Sequence, residues 1–142
     1  AKAKERTIEE KTILIIRDAE LAALHKRPAK GLLAGMYEFP SMKGYHTAEE
    51  VKEYLADNGL QVLRIQPLED AKHIFSHREW HMKGYLIRVD ELAPKREGPD
   101  SADWIYIEPS ETREKYPIPS AFAVYAKGLN MKLGARENDP GQ

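Results

Sequence analysis

The most constraining feature of this sequence is a short run of β-branched and apolar residues, Thr12–Ile16. Such a run predicts a strand that is buried on both faces. The polar residues 17–20 predict a turn, and the apolar residues Leu21–Leu24 then predict the second strand of a hairpin. Four further segments rich in β-branched and aromatic residues predict strands at Leu60–Ile65, Ala71–Phe75, Trp80–Val89 and Trp104–Ile107.

Two helices are predicted from their capping signals. Thr47 and Glu50 have the spacing of a capping box, and the apolar residues that follow fall on one helical face. Asn58-Gly59 predicts the end of this helix. Ser120 is expected to cap a final helix that runs to about Leu129. Helices around a mixed sheet predict an α+β fold without internal repeats or an interior domain boundary.

Length and composition predict one globular domain. The chain has 142 residues, of which 42% are hydrophobic and 32% charged, as expected of a soluble protein with its own core. We expect residues 1–10 to form an N-terminal extension or linker and residues 11–130 the folded domain. Residues 131–142 carry few apolar anchors and are expected to form a flexible tail.

Composition also excludes several kinds of function. The absence of cysteine rules out disulfides, a thiolate nucleophile and an iron–sulfur cluster in this polypeptide. A net charge of −1 argues against a broadly basic nucleic-acid surface, so any contact with DNA must be local. No apolar run approaches the roughly 20 residues that span a bilayer. We therefore expect a cytoplasmic protein without a membrane partner.

Three separated segments resemble one protein family. Arg27–Pro40 (RPAKGLLAGMYEFP) resembles the loop that precedes the helix of the Nudix (MutT-like) fold in the C-terminal domain of MutY adenine DNA glycosylases. Phe75-Ser76-His77 resembles the Phe-Ser-His loop of that family, and His73 lies where the family often has another histidine. Tyr116–Phe122 is similar to the segment before the last helix. The matches keep the family's order over about residues 11–127.

This resemblance implies a fold and a function. The fold would be a Nudix fold, a mixed β-sheet flanked by helices. The function would be recognition of 8-oxoguanine opposite adenine in double-stranded DNA during base-excision repair, with Phe75, Ser76, His77 and His73 at the lesion. The glycosylase domain of the same parent polypeptide would be the second partner and would carry the catalytic residues and an iron–sulfur cluster. This chain alone would then hold no catalytic residue, cofactor or metal, and its location would be the nucleoid.

The sequence departs from the box of an active Nudix hydrolase. Lys52 replaces the arginine of that box, and Ala56-Asp57 replaces the paired glutamates that bind magnesium. The segment between Pro40 and Gly59 is also a few residues too short for the full box. The resemblance therefore implies the fold without the hydrolase, although a free-standing Nudix pyrophosphohydrolase acting on nucleotides is the alternative function. A scaffold domain that uses the loop at Ala93–Asp100 is a third interpretation.

The residues of the Phe-Ser-His segment offer suitable chemistry. The Ser76 hydroxyl could accept a hydrogen bond from the protonated N7 of 8-oxoguanine or donate one to O8. Phe75 would be a wedge or a packing anchor, and His77 could bind backbone or phosphate. The competing interpretation is an ordinary β-turn in which Phe75 belongs to the core and His77 is solvated.

Other polar and aromatic residues have simpler interpretations. Arg27, Lys30 and Lys43 bracket the glycine-rich segment and are candidate phosphate contacts, opposed there only by Glu38. Three histidines recur at four-residue intervals, but in a strand–turn–strand they would diverge and form no zinc site: His73, His77 and His81. Four aromatic residues are expected to be core rather than a stacking platform: Trp80, Tyr85, Trp104 and Phe122. The glutamates of the first helix are expected to be structural: Glu49, Glu50 and Glu53.

Overall fold

The computed structural model describes residues 6–92, 104–112 and 115–126. Its strands are β1 (Thr7–Arg17), β2 (Ala22–Lys26), β3 (Tyr37–Glu38), β4 (Ser41–Lys43), β5 (Val62–Ile74), β6 (Arg78–Val89) and β7 (Trp104–Ile107). Its helices are α1 (Ala48–Asp57) and the short α2 (Ala123–Ala126), and 3-10 turns cover Pro109–Thr112 and Ser120–Phe122.

All seven of these strands belong to one mixed sheet. The main order is β3-β2-β1-β6-β5, with β4 paired to β1 and β7 paired to β2. The central strands β1 and β6 run parallel, and the other pairs are antiparallel. This arrangement confirms the predicted α+β fold with a mixed sheet and flanking helices.

Strand β1 begins earlier than the sequence predicted. Thr7–Glu10, assigned above to an extension, pairs in register with Arg78–His81 of β6. These residues are mostly polar and exposed, so apolar periodicity does not reveal them. Their backbone is held by the ladder to β6, which itself begins two residues before the predicted Trp80. The apolar part behaves as expected, because every residue of Thr12–Ile16 is no more than 1% exposed.

Strand β5 is one continuous strand where the sequence predicted two. The predicted break fell at residues 66–70, which include Pro67. Register shifts between Val62 and Arg64 and between Leu68 and Ala71 absorb the irregularity. A proline is tolerated here because β5 is an edge strand, where a missing N–H need not break the ladder.

The predicted signals of helix α1 are confirmed. The Thr47 side chain accepts from the Glu50 N–H at 3.2 Å, and the Glu50 carboxylate accepts from the Thr47 N–H at 2.9 Å. Gly59 ends the helix with a φ of 85° and donates its N–H to the Ala56 carbonyl.

The last helix begins differently from the prediction. Ser120 does not cap it but begins the 3-10 turn that precedes it, and Pro119 holds the cap position of that turn without a side-chain hydrogen bond. A proline is suited to this place because no backbone donor is needed from it. The expected continuation to Leu129, the tail 131–142 and the loop 93–100 lie outside the described residues.

The sheet separates two apolar cores. Alternate residues of β1 point to opposite faces, with Leu14 and Ile16 on one and Ile13 and Ile15 on the other. The first core is closed by the helix α1 and contains Val51, Leu55, Tyr85, Ile87 and Val89. The second contains Leu24, Phe39, Trp80, Met82, Phe122 and Tyr125. In the described ranges no helix is both long and apolar enough to cross a membrane.

Tyr125 seats α2 on the sheet over Gly84. The Tyr125 hydroxyl donates to the carbonyl of Glu69 at 3.1 Å and is 3.3 Å from that of Met82. A Cβ at residue 84 would overlap the Tyr125 ring. Gly84 is therefore required by close packing rather than by its backbone conformation.

We predict that Gly84→Ala lowers the free energy of unfolding by about 1–3 kcal/mol, because a buried clash forces the ring or strand to move. Urea unfolding of a double-mutant cycle with Tyr125→Ala provides the check. In the Tyr125→Ala background, Gly84→Ala should lower the free energy of unfolding by much less, because the ring that the new methyl group would overlap is absent. An equal cost in both backgrounds would contradict the packing explanation.

Candidate nucleic-acid interface

The predicted recognition residues lie at the tip of a long hairpin made by β5 and β6. Ile74 and Glu79 form the last register pair, and the Phe75 N–H donates to the Arg78 carbonyl at 2.7 Å. Ser76 and His77 follow Phe75 and are exposed at the tip. The segment is a tight turn, as the competing interpretation expected, but it also presents two polar residues to solvent.

The hairpin tip is tied to the start of β1. The His77 carbonyl accepts a hydrogen bond from the Thr7 N–H at 3.0 Å. Arg78 forms an ion pair with Glu9 at 2.8 Å, and Arg6 forms one with Glu79 at 3.3 Å. Exposed ion pairs stabilise weakly, so the backbone bond and the ladder behind it do most to hold the tip in place.

Phe75 anchors the tip from below. Its ring contacts Trp80 edge-on with centroids 4.9 Å apart, and His73 packs on Phe75 at 4.7 Å. Trp80 is 1% exposed and packs in turn against Phe122 at 5.7 Å. The half-buried Phe75 therefore joins the second core, whereas Ser76 and His77 of the turn and the flanking Ile74 and Arg78 are exposed. Trp80 and Phe122 are buried core residues, as predicted.

Two cations approach the Trp80 ring. Lys11 Nζ lies 3.9 Å from the ring centroid, and the Arg27 guanidinium carbon lies 5.4 Å from it. Burial lowers the pKa of Lys11, although the negative charge of Glu38 opposes this effect. Within the described ranges, Trp80 Nε1 is buried without a hydrogen-bond partner. The ring is thus held by packing and cation–π attraction rather than by its polar atom.

The counter-charge for this cluster is Glu38, which the sequence reasoning missed as a site residue. Glu38 is 8% exposed and accepts from Arg27 Nη1 at 2.9 Å, while His25 Nδ1 lies 3.1 Å from its other oxygen. Burial acts to raise the pKa of Glu38, but the hydrogen bonds from His25 and Arg27 hold that pKa below its ordinary value. The available signal was the isolation of Glu38 as the one acid among the cations of its segment.

The candidate phosphate contacts lie in different environments. Arg27 donates from Nε to the Leu32 carbonyl at 3.1 Å as well as to Glu38, and its side chain is 15% exposed. It therefore organises the loop that follows it. Lys30 is exposed on that loop, and Lys43 is exposed where it lines an open groove of about 700 Å³ with Lys11.

The histidines diverge as the strand–turn–strand interpretation expected. His73 pairs in register with Trp80, whereas His81 pairs with Lys72, so the two lie on opposite faces of the hairpin. His81 is bound to Glu79 at 2.9 Å, and His77 is at the tip. No group of three histidine or acidic residues that could hold a metal occurs in the part of the chain that the structure describes.

Helix α1 does not fit the magnesium site of an active Nudix hydrolase. Glu49, Glu53 and Ala56 line a shallow depression on its exposed face. The Glu50 carboxylate is already used by the capping box and lies 3.3 Å from His46 Nδ1. Ala56 stands where the active hydrolases have a ligand glutamate, and the described residues contain no group of three acidic or histidine side chains arranged to hold a metal ion.

We predict that Glu38→Gln lowers the free energy of unfolding at pH 7 by about 3 kcal/mol, because it leaves the Arg27 guanidinium without its buried counter-charge. The folded-state pKa of Glu38 is lowered, so its contribution is present above its ordinary value of 4.5 and is lost as pH falls through the folded pKa. Urea unfolding from pH 7 to pH 3 should show the difference from the unmodified protein shrinking below pH 4.5.

The control is Glu53→Gln, which removes an exposed carboxylate from α1 and should change stability little at any pH. Equal effects of the two substitutions would show that Glu38 has no special electrostatic role.

Comparison with known proteins defines the family. A family model described as NUDIX domain matches residues 12–127. Adenine DNA glycosylase of Mus musculus is 34% identical over 93 residues, which cover 60% of this chain and 18% of that protein. The chain therefore spans less than a fifth of this curated relative.

Two solved structures share the fold. The C-terminal domain of mouse MUTYH, solved in complex with human PCNA, has a TM-score of 0.63 and 23% identity, with 87% of this chain and 90% of that chain covered. The MutT NUDIX hydrolase of Burkholderia pseudomallei has a TM-score of 0.56 and 15% identity, with 86% and 98% covered. These likenesses confirm the predicted MutT-like fold and the predicted resemblance to the MutY C-terminal domain. The chain belongs to the NUDIX domain family.

Proposed function

We propose that this chain is the lesion-recognition domain of an adenine DNA glycosylase and reads 8-oxoguanine opposite adenine in base-excision repair. The observation that carries the proposal is the exposed Ser76-His77 tip on a hairpin whose Phe75 is seated against Trp80. Similarity to mouse adenine DNA glycosylase supports it. Adenine excision and the iron–sulfur cluster would then belong to a glycosylase domain of the parent protein, acting at the nucleoid.

The shape of the hairpin suits contact with a base edge. A two-stranded β-ribbon is narrow enough to enter the major groove of DNA. Ser76 is at the leading end of the ribbon, where its hydroxyl can accept from N7–H or donate to O8, the two features that distinguish 8-oxoguanine from guanine. The His77 side chain is exposed, and the bond to Thr7 is made by the His77 backbone carbonyl rather than by the ring. Lys30 and Lys43 remain proposed phosphate contacts.

Recognition of a base edge also requires that the turn holding Ser76 be rigid. A reader that discriminates by one or two hydrogen bonds must hold its donor and acceptor in place before the base arrives. His73 packs edge-on against Phe75, and Phe75 packs edge-on against the buried Trp80, so the turn is supported by the core. His73 would therefore act by supporting Phe75.

We predict that Ser76→Ala lowers the preference of this chain for a duplex with 8-oxoguanine:adenine over one with guanine:adenine by about two- to tenfold, since one polar contact contributes about 0.5–1.5 kcal/mol net. Equilibrium binding of the two labelled duplexes measures the ratio. Ser110→Ala, which also removes an exposed serine hydroxyl but outside the hairpin, should leave the ratio unchanged.

The double substitution of Phe75 and Ser76 to alanine should reduce the preference further by also removing the anchor. Its folding must be verified by circular dichroism, because truncating a packed phenylalanine can cost about 3 kcal/mol of stability. An unchanged preference in the folded double variant would leave the segment as an ordinary turn and exclude it from recognition.

The alternative function, nucleotide pyrophosphate hydrolysis, is not favoured by helix α1. We predict that the purified chain with magnesium releases no pyrophosphate or phosphate above background from normal or oxidised purine nucleoside triphosphates, because Ala56-Asp57 cannot replace the paired glutamates. An active MutT hydrolase is the positive control. Robust turnover that disappears in Glu53→Gln would contradict the prediction and favour the hydrolase.

A further inference from the structure

We propose that Arg78, beside the hairpin tip, binds a DNA phosphate next to the lesion. The inference rests on the proposed function, because it assumes that the Ser76 tip approaches a base. Arg78 is two residues beyond Ser76 and is the first residue of β6, so it lies directly behind the turn. A ribbon that reaches a base edge must pass between the sugar–phosphate backbones, so residues directly behind its tip meet phosphates first.

The Arg78 side chain is available for such a contact. It is 50% exposed, whereas the Arg27 side chain is 15% exposed and bound to Glu38 and Leu32. Guanidinium has five N–H donors, and among the described residues the structure shows one of them in use, the bond from Nη1 to Glu9. Two of the others can meet a phosphate in the bidentate geometry that arginine commonly adopts.

Glu9 has a definite part in this arrangement. Its carboxylate holds the guanidinium 2.8 Å away and beside β1 in the free protein. An exposed pair of this kind is weak, so an incoming phosphate can displace Glu9 at little cost. Glu9 pairs in register with Trp80, so in the free protein it holds the Arg78 side chain beside β1.

The test compares Arg78→Gln with Arg88→Gln in this chain. Arg88 is also exposed and lies on the same strand, ten residues further along and close to the opposite end of β6, so both variants lose one surface charge. Fluorescence anisotropy with an 8-oxoguanine:adenine duplex is measured at several salt concentrations. Each phosphate contact contributes about 0.9 to the slope of log K against log salt concentration.

Of the two variants, we expect only Arg78→Gln to lower that slope, by about 0.9. Its loss of affinity relative to the unmodified chain should then be about threefold smaller at about 200 mM salt than at about 50 mM salt. Its preference for the lesion over guanine:adenine should remain, because a phosphate contact carries no information about the base. Equal loss of slope in the two variants, or none in Arg78→Gln, would overturn the assignment.

The same data separate this inference from the proposed function. Loss of slope confined to Arg78→Gln, in a chain with no lesion preference, would support the phosphate contact and reject lesion reading. A clear preference for the lesion, together with a salt dependence that Arg78→Gln leaves unaltered, would support lesion reading and reject the phosphate contact. Absence of any DNA binding by the unmodified chain would overturn both.

Discussion

The candidate site depends above all on the packing of one indole ring. Trp80 is the point where four parts of the chain meet, because it contacts Phe75 of the hairpin, Phe122 before the last helix, Lys11 of β1 and Arg27 at the start of the glycine-rich loop. Burying the ring removes a large apolar area from water, while its Nε1 has no partner in the described part of the chain. Contacts with the surrounding cations and aromatic rings must offset the hydrogen bond that Nε1 does not make. The four segments that supply these contacts are therefore interdependent.

The charges of this cluster are balanced locally. Two cations beside one aromatic ring would repel each other strongly in a dry environment, and the buried carboxylate of Glu38 makes their proximity tolerable. On the other face of the sheet, α1 keeps its cap and its apolar stripe but has Ala56 where a metal ligand would be needed. Folding of α1 depends on the buried side chains of Val51 and Leu55, whereas metal-dependent catalysis on it would depend on exposed carboxylates at other positions. The helix can therefore be kept while the catalytic site is lost.

Local signals made most of the fold predictable. The capping box at Thr47 and the buried run at Thr12–Ile16 each report on a few adjacent residues, and both were confirmed. The polar start of β1 was missed because it is held by pairing with β6, a strand distant in sequence. The continuity of β5 was missed because its pairing with the adjacent β6 overrides the local signals of Pro67 and its polar neighbours. The environment of Glu38 was missed because the two-residue strand β3 carries no strand signal of its own, and its pairing with β2 is what brings Glu38 beside His25 and Arg27. The tip residues could be located from the resemblance, yet only the packing of Phe75 shows which of them project into solvent.

The parallel pairing of β1 with β6 has a mechanical consequence for the hairpin. Eleven successive residue pairs, from Thr7–Arg78 to Arg17–Arg88, connect the base of the tip to the centre of the sheet. A ladder of this length resists sliding, because any relative shift of the two strands must break many hydrogen bonds at once. A force on Ser76 is therefore transmitted through β6 to β1 and the centre of the sheet instead of being absorbed by the turn alone.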